Sequence, residues 1–321
     1  MIINLIATVF PVFGTIFLGA AILRFGLFPA ATAYALNQFV YWIGLPALIF
    51  TLLGRLDTTA VPQAYFAGFF GALLLSYGLC FAAVLLWGRV RAREAAMLSC
   101  LSCFPNTGFM GVAMLTFLLP GNDEALSVAG LATVLYSPVL LLTDAGLAVA
   151  KHGGEGGRRI LAEFARSMLR NPMLLACLAG LGLNFSGLGF FRPLMNMTSM
   201  LGATAAPCAL FAIGMVLAAQ ASSARLRESF RLTRQIPVHC VKLLILPGLT
   251  YAVLRLFGLS GLTLGVTTLS SAMPIGVAAY VVAEKFQVCA QDTSTGIFFN
   301  TAVSLVSLPL IMVWLRTAGA L

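Results

Sequence analysis

Two short segments, one in each half of the chain, place a proline and small polar residues inside otherwise apolar stretches. They read SCFPNTG at 102–108 and SSAMPIG at 270–276. A proline within a helix removes one N–H donor and clashes with the carbonyl four residues earlier, so each segment is predicted to break its helix. The half-helix after each break begins with unpaired N–H groups and a partial positive charge, and an anion would satisfy both.

The side chains around the two breaks suit a ligand site. Asn106 and Thr107 offer donors and acceptors, Gly108 and Gly276 permit close backbone approach, and Ser270 and Ser271 add hydroxyls. The alternative is a pair of proline kinks whose polar groups are satisfied by neighbouring helices. Because the breaks form a matched pair, we favour a binding site made of Pro105, Asn106, Thr107, Gly108, Ser271, Pro274, Ile275 and Gly276.

A polar stripe lies near the end of the chain. Asn300, Ser304 and Ser307 recur at i, i+4 and i+7, so they share one face of an apolar helix. If this face meets the breaks, Asn300 and Ser304 would complete a shell around a ligand or cation. Hydrogen bonding between helices explains the same stripe equally well.

Four ionisable residues fall inside apolar stretches: Asp144, His239, Lys242 and Glu284. Extension of each side chain to the membrane surface is the default interpretation. The alternative is that Asp144, or His239 together with Lys242, relays protons or stabilises a moving state. No carboxylate is predicted near the centre of the membrane, which argues against a cationic substrate.

The elements that must position these residues are membrane helices. Hydrophobic residues make up 60% of the 321-residue chain and charged residues 9%, and the mean hydropathy is +0.99, which excludes a water-soluble globular domain. A membrane helix needs about 20 apolar residues. Ten such stretches are predicted, at 3–23, 33–53, 62–87, 94–118, 125–149, 172–187, 198–220, 236–257, 262–283 and 292–316.

Basic residues set the orientation of these spans. Fourteen lie in loops on one side, which is therefore cytoplasmic: Arg24, Arg89, Arg91, Arg93, Lys151, Arg158, Arg159, Arg166, Arg170, Arg225, Arg227, Arg231, Arg234 and Lys285. Only Arg55, Arg192, Arg255 and Arg316 lie on the other side, so both termini are predicted to face outward. Topology thus explains the net charge of +9, with anionic lipid as a secondary contact and no nucleic-acid partner.

The two halves of the chain are similar. A shift of 161 residues places Pro11 on Pro172 and Pro46 on Pro207, and a shift of 169 places Pro105 on Pro274. We predict repeats at 1–150 and 172–321, joined by a basic loop at 151–171. Five spans per repeat is an odd number, so the repeats are inverted and spans 4 and 9 bring their breaks to the midplane from opposite faces.

Other chemistry lacks its motifs. Cys100 and Cys103 form a CxxC, but no further cysteine pair or nearby histidine completes a metal site. The chain has no HExxH, phosphate loop or GxSxG, and its other histidine, His152, is predicted to lie in a glycine-rich loop. We therefore expect neither an enzyme nor a metal or organic cofactor, apart from a coupling sodium ion or proton.

Four segments together resemble the auxin efflux carrier family over essentially the whole chain. They are LPALIF at 45–50, PNTGFMG at 105–111, APCALFAIG at 206–214, and AMP at 272–274 followed by Ala283-Glu284. The resemblance implies ten spans, secondary transport of organic anions and a substrate role for Asn106. It also implies a scaffold of spans 1, 2, 6 and 7, often dimeric, and a transport domain of spans 3–5 and 8–10 that moves as an elevator.

The short loop between spans 5 and 6 resembles the prokaryotic branch of that family. We expect a homodimer in the cell inner membrane that transports small carboxylates, such as malonate, other dicarboxylates or auxin-like aromatic acids. Sodium coupling through Asn300 and Ser304, as in the distantly similar bile-acid sodium symporters, proton coupling and uniport all remain open. An ion channel and a sodium-coupled symporter of another solute are the alternative functions.

Overall fold

The computed structural model describes residues 2–56, 62–88, 90–152, 165–166, 169–186, 191–221 and 238–321. Within these residues the chain forms helices and no β-strand longer than a single isolated bridge. In order the α-helices are α1 Ile2–Arg24, α2 Ala31–Phe39, α3 Leu45–Gly54, α4 Gln63–Gly88, α5 Ala92–Cys103, α6 Val112–Leu118, α7 Asp123–His152, α8 Pro172–Ser186, α9 Arg192–Ala203, α10 Ala205–Ala221, α11 Leu246–Leu256, α12 Gly261–Ser271, α13 Ala278–Phe286 and α14 Ala290–Thr317. Seven of the basic loop residues lie outside the described residues: Arg89, Arg158, Arg159, Arg225, Arg227, Arg231 and Arg234.

Within the described part, six helical stretches are long and apolar enough, by length and composition, to cross a membrane. They are Ala31–Gly54, Gln63–Leu86, Asp123–Ala148, Arg192–Ala219, Val238–Leu256 and Ala290–Thr317. Shorter apolar helices cover Phe10–Arg24, Thr107–Leu118 and Pro172–Ser186. The predicted all-α membrane architecture is therefore confirmed, whereas the number of ten spans stays a prediction.

Prolines within continuous helices are accommodated in two ways. Pro11, Pro138 and Pro309 lie inside α1, α7 and α14 without ending them. Pro46 and Pro247 each lie in the first turn of an α-helix that follows a five-residue π-helical turn, at Val40–Gly44 and Val241–Ile245. A π turn widens the helix locally, which relieves the clash between the proline ring and the preceding carbonyl.

The residues divide into two compact units. The first comprises Met1–Ala60, Thr107–Val134 and Asn171–Arg227, and the second comprises Val61–Asn106, Leu135–Arg170 and Glu228–Leu321. The boundary within α7 falls after Val134.

In the first unit, helices meet through glycines that lie directly on a neighbouring backbone. A Cβ atom at Gly19 in α1 would overlap the carbonyl oxygen of Phe211 in α10, and one at Gly180 in α8 would lie 2.8 Å from the carbonyl oxygen of Phe50 in α3. The two contacts are equivalent under a shift of 161 residues, which places Gly19 on Gly180 and Phe50 on Phe211.

Three further contacts connect the helices of the first unit. Gly44 lies against Ala205, with 3.2 Å from the Cβ position to the alanine Cβ, and 205 − 44 is again 161. The exposed carbonyls at the end of α3 are capped by Asn184, whose Nδ2 donates to the carbonyl oxygens of Gly54 and Leu56 at 2.9 Å each. A buried hydrogen bond of 2.8 Å from Thr51 to Thr198 joins α3 to α9.

The second unit has an apolar core around the end of α5, α13 and the start of α14. Its buried members are Met97, Leu98, Leu101, Leu147, Val238, Ile275, Ala279, Val282, Ala283, Phe286, Val288 and Ile297. Ile275 belongs to the predicted second break, so this core holds the break in place. A separate aromatic cluster of Tyr65, Phe69 and Tyr136 packs with ring centroids 4.8–5.9 Å apart.

Candidate functional site

The two proline segments interrupt their helices at similar distances from the helix starts. Helix α5 ends at Cys103 after 12 residues and α12 ends at Ser271 after 11. At 1.5 Å per residue these half-helices are about 18 and 17 Å long. Helical structure resumes at Thr107 after the first break and at Ala278 after the second, so the second interruption is the longer one.

The two interrupted segments hydrogen-bond to each other. Asn106 N donates to the carbonyl oxygen of Pro274 at 2.7 Å, and Gly276 N donates to the carbonyl oxygen of Phe104 at 2.9 Å. They form an isolated antiparallel bridge centred on Pro105 and Ile275. We call this arrangement, Phe104–Asn106 with Pro274–Gly276, the crossing. The two bonds are equivalent under a shift of 170 residues, which places the donor Asn106 on the donor Gly276 and the acceptor Phe104 on the acceptor Pro274. This shift is one residue more than the shift of 169 that superposes the prolines.

This bonding revises the expectation that the N–H groups at both breaks are unpaired. Asn106 N and Gly276 N are each used by the opposite segment, and Ile275 N donates to Asn300 Oδ1 at 3.2 Å. The physical reason is that two broken backbones at one level satisfy each other, which removes the cost of leaving them unpaired in an apolar interior.

Asn300 links the crossing to a histidine. It is fully buried in α14, and its Nδ2 lies 2.9 Å from His239 Nδ1. Because Asn300 Oδ1 accepts from Ile275, its amide group must donate to His239, so Nδ1 accepts and the ring proton lies on Nε2. His239 Nε2 is buried and has no hydrogen-bond partner among the described residues.

Gly276 is required by the close approach of the two segments. A Cβ atom there would lie 2.5 Å from Cε1 of the Phe104 ring and 3.1 Å from the carbonyl oxygen of Pro105. The close approach expected at Gly276 is therefore made to Phe104 and Pro105.

Lys242 corrects the default interpretation that buried ionisable side chains extend to the membrane surface. Its side chain is completely buried, and Nζ donates to the carbonyl oxygen of Ser271 at 2.6 Å. The lysine turns inward because Ser271 is the last residue of α12, where the carbonyls have lost their helical partners. Asp144, in contrast, pairs with the half-exposed Lys285 at 2.8 Å.

The Asn106 side chain is the most available polar group at the crossing. It is 5% exposed, and its amide forms no hydrogen bond with any described residue. The hydroxyls of Ser271 and Ser304 are already engaged, donating at 2.6 Å to carbonyls of their own helices, Thr268 and Thr301.

The structure does not bring all predicted site residues into one unit. Thr107 and Gly108 belong to the first unit, where the Cβ position of Gly108 lies 3.2 Å from Thr133 and 3.3 Å from Leu45. The other predicted binding residues, Pro105, Asn106, Ser271, Pro274, Ile275, Gly276, Asn300 and Ser304, belong to the second unit, as do Asp144, His239 and Lys242.

Sequence reasoning pointed to the hydroxyls of Ser270 and Ser271 but missed that of Thr268 in the same turn of α12. Thr268 Oγ1 and Ser270 Oγ are buried and have no partner in the part of the chain that the structure describes. The available signal was the density of hydroxyls in an apolar helix, at Thr267, Thr268, Ser270 and Ser271. As for metals, the described residues contain no cluster of three or more His, Cys, Asp or Glu side chains.

Apolar helices with a polar, proline-interrupted crossing define the chain as a multi-pass membrane protein with the features of a transporter. A family model described as "Membrane transport protein" matches residues 4–312. The chain belongs to this family, and its resemblance to the auxin efflux carriers is confirmed.

Two relatives cover nearly the whole chain. One is a "Putative malonate transporter" of Rhizobium meliloti, 28% identical over 316 residues that cover 98% of this chain and 96% of the relative. The other is an "Uncharacterized transporter" of Methanothermobacter thermautotrophicus, 26% identical over 316 residues, with 94% and 96% covered.

Proposed function

We propose that this protein is a secondary transporter of small carboxylates that binds its substrate at the crossing. The observation that carries the proposal is the buried Asn106 amide, which lies at the broken helix and forms no hydrogen bond with a described residue. A carboxylate at the crossing would accept a hydrogen bond from its N–H₂ donor.

The charge around the crossing favours an anion. Lys242 places a buried amino group that can carry a positive charge at the end of α12, and the bonded neighbours of the crossing, Asn300 and His239, carry no carboxylate. The hydroxyls of Thr268 and Ser270 add donors in the last turn of α12. The name of the Rhizobium relative makes malonate the first dicarboxylate to test.

We propose that the ten predicted spans form two inverted five-helix repeats. The glycine contacts of the first unit support this arrangement, since Gly19 on Phe211 and Gly180 on Phe50 are the same contact under one shift. At the crossing, a single shift likewise places one backbone hydrogen bond on the other. Matched contacts of this kind are expected when two repeats are related by a pseudo-two-fold axis.

Alternating access would follow from movement of a transport domain, spans 3–5 and 8–10, against a scaffold of spans 1, 2, 6 and 7. Support comes from the grouping of α1–α3 and α8–α10, which are spans 1, 2, 6 and 7, in one unit. That unit also contains residues Thr107–Val134, which the sequence assigned to the transport domain. We further propose a homodimer in the cell inner membrane with both termini outside, as the loop charges and the family resemblance indicate.

The experiment is thermal stabilisation of the purified protein by a panel of acetate, malonate, succinate and indole-3-acetate. A ligand that binds only the folded state raises the melting temperature by mass action. We expect at least one acid to stabilise the wild-type protein. Asn106→Ala and Asn106→Asp should remove that stabilisation, the second because a carboxylate in the same shape repels the substrate.

The matched control is Asn196→Ala, which removes an exposed asparagine amide from α9. It should bind as the wild type does. Stabilisation of Asn106→Ala equal to that of the wild type would reject the crossing as the substrate site, and failure of every acid would reject carboxylate transport.

A further inference from the structure

The Lys242 side chain ends at the negatively polarised carbonyl end of a helix. Its Nζ lies 2.6 Å from the carbonyl oxygen of Ser271, and Ser271 is the last residue of α12 before the second break. The carbonyl end of a helix carries a partial negative charge of about half an electron. In transporters with broken helices, such half-helix carbonyl ends coordinate the coupling sodium ion or proton.

The charge of Lys242 has few partners of its own. The side chain is completely buried, and Ser271 provides the hydrogen bond that its Nζ makes within the described residues. The ion pair found in that part of the chain joins Lys285 to Asp144 instead. A buried ammonium group without a carboxylate partner is strongly unfavourable, so an anion bound nearby would stabilise the protonated form of Lys242.

The residues expected to hold sodium each make a hydrogen bond inside the protein. Asn300 Oδ1 accepts from Ile275 N, and Ser304 Oγ donates to the carbonyl oxygen of Thr301. Beside the break the structure places the Lys242 amino group, and the last turn of α12 also carries the Thr268 and Ser270 hydroxyls, which have no partner among the described residues.

We propose that Lys242 is a built-in cation that takes the place of a bound coupling ion, so that carboxylate binding and transport need no sodium. This inference rests on the proposed carboxylate transport at the crossing. In this inference Lys242 offsets the negative charge of the substrate through space, while its amino group remains hydrogen-bonded to the end of α12. Sodium coupling is then not required.

The test measures binding of the most stabilising panel acid in sodium chloride and in choline chloride, using the full-length purified protein. The wild type should bind equally in both salts. Lys242→Met, which keeps an unbranched side chain one atom shorter than lysine but removes the charge, should bind at least about tenfold more weakly in choline. Sodium should recover part of that loss, because the freed Ser271 carbonyl can then accept the ion.

Lys285→Met is the matched control, since it makes the same change at a lysine of the same unit whose side chain is 55% exposed. It should bind as the wild type does. Wild-type binding that requires sodium, or Lys242→Met binding unchanged in choline, would overturn the inference and leave the carboxylate site intact. Absence of binding by any acid in either salt would overturn the proposed function as well.

A second measurement does not depend on folding of the variant. Wild-type protein in liposomes should take up the radiolabelled acid without taking up radioactive sodium. Sodium uptake that requires the acid would overturn the inference even if Lys242→Met does not fold.

Discussion

The two units of this protein bring backbone segments close together by different means. In the first unit, Gly19 and Gly180 let helices touch the carbonyls of Phe211 and Phe50, and the contact is one of shape. In the second unit, the broken segments at Pro105 and Pro274 are joined by hydrogen bonds across the crossing. The first solution produces close apolar packing, whereas the second keeps polar backbone groups paired inside the protein.

The largest effect should come from the glycine contacts of the first unit. Gly19→Ala places a methyl group on the Phe211 carbonyl, so α1 and α10 must separate. Such overpacking costs about 3 kcal/mol, which should lower the melting temperature by roughly 6–12 °C.

Gly14→Ala in the same helix is the control, because its Cβ position lies 3.6 Å from the nearest atom, in the Phe10 ring. The melting temperature should change by no more than about 2 °C. Equal losses for the two variants would show that the close contact at Gly19 does not determine stability.

A smaller loss is expected from the polar network of the second unit. Asn300→Ala leaves Ile275 N and His239 Nδ1 without their partner, which should cost about 2 kcal/mol of folding free energy and weaken carboxylate binding. Thermal unfolding with and without the acid measures both effects. Ser304→Ala should cost less than about 0.5 kcal/mol, because its hydroxyl bonds only within α14. A reversed order would contradict the role given to Asn300.

The hydroxyl pair of the first unit should matter less than this network. A double-mutant cycle with Thr51→Val and Thr198→Val tests the bond between their hydroxyls. Each threonine can also bond to a carbonyl of its own helix, so the coupling energy should be about 0.6 kcal/mol. A coupling above about 2 kcal/mol would remove the contrast between the two units.

The smallest effect is expected at the exposed ion pair of the second unit. Lys285→Met breaks its contact with Asp144, but the lysine side chain is 55% exposed and largely solvated. The loss of stability should be no more than about 0.5 kcal/mol, measured as a shift in the melting temperature. A loss comparable to that of Asn300→Ala would show that this pair holds α7 and α13 together.

Sequence reasoning located the helices and their interruptions but not the partners of the freed groups. Proline chemistry predicts breaks near Pro105 and Pro274, and α5 and α12 end two and three residues before these prolines. Hydropathy predicts the apolar stretches, yet it cannot show that Asn106 N and Gly276 N satisfy each other. That pairing depends on how two distant segments meet.

Lys242 shows the same limit for a side chain. Its position in an apolar stretch is compatible with extension to the membrane surface or with burial, because the sequence does not reveal whether a partner lies inside. The structure supplies that partner, the carbonyl oxygen of Ser271. The interruption of α12 creates the acceptor, 29 residues away along the chain.

The central claim, that the crossing carries carboxylate transport, is tested most directly by uptake into liposomes containing the purified protein. The radiolabelled acid that stabilises the wild type most should enter with saturable kinetics at the turnover of a carrier. Folded Asn106→Ala should show no uptake above protein-free liposomes, whereas Asn196→Ala should match the wild type. Wild-type uptake by Asn106→Ala, or conductance far above carrier turnover in the wild type, would contradict the account.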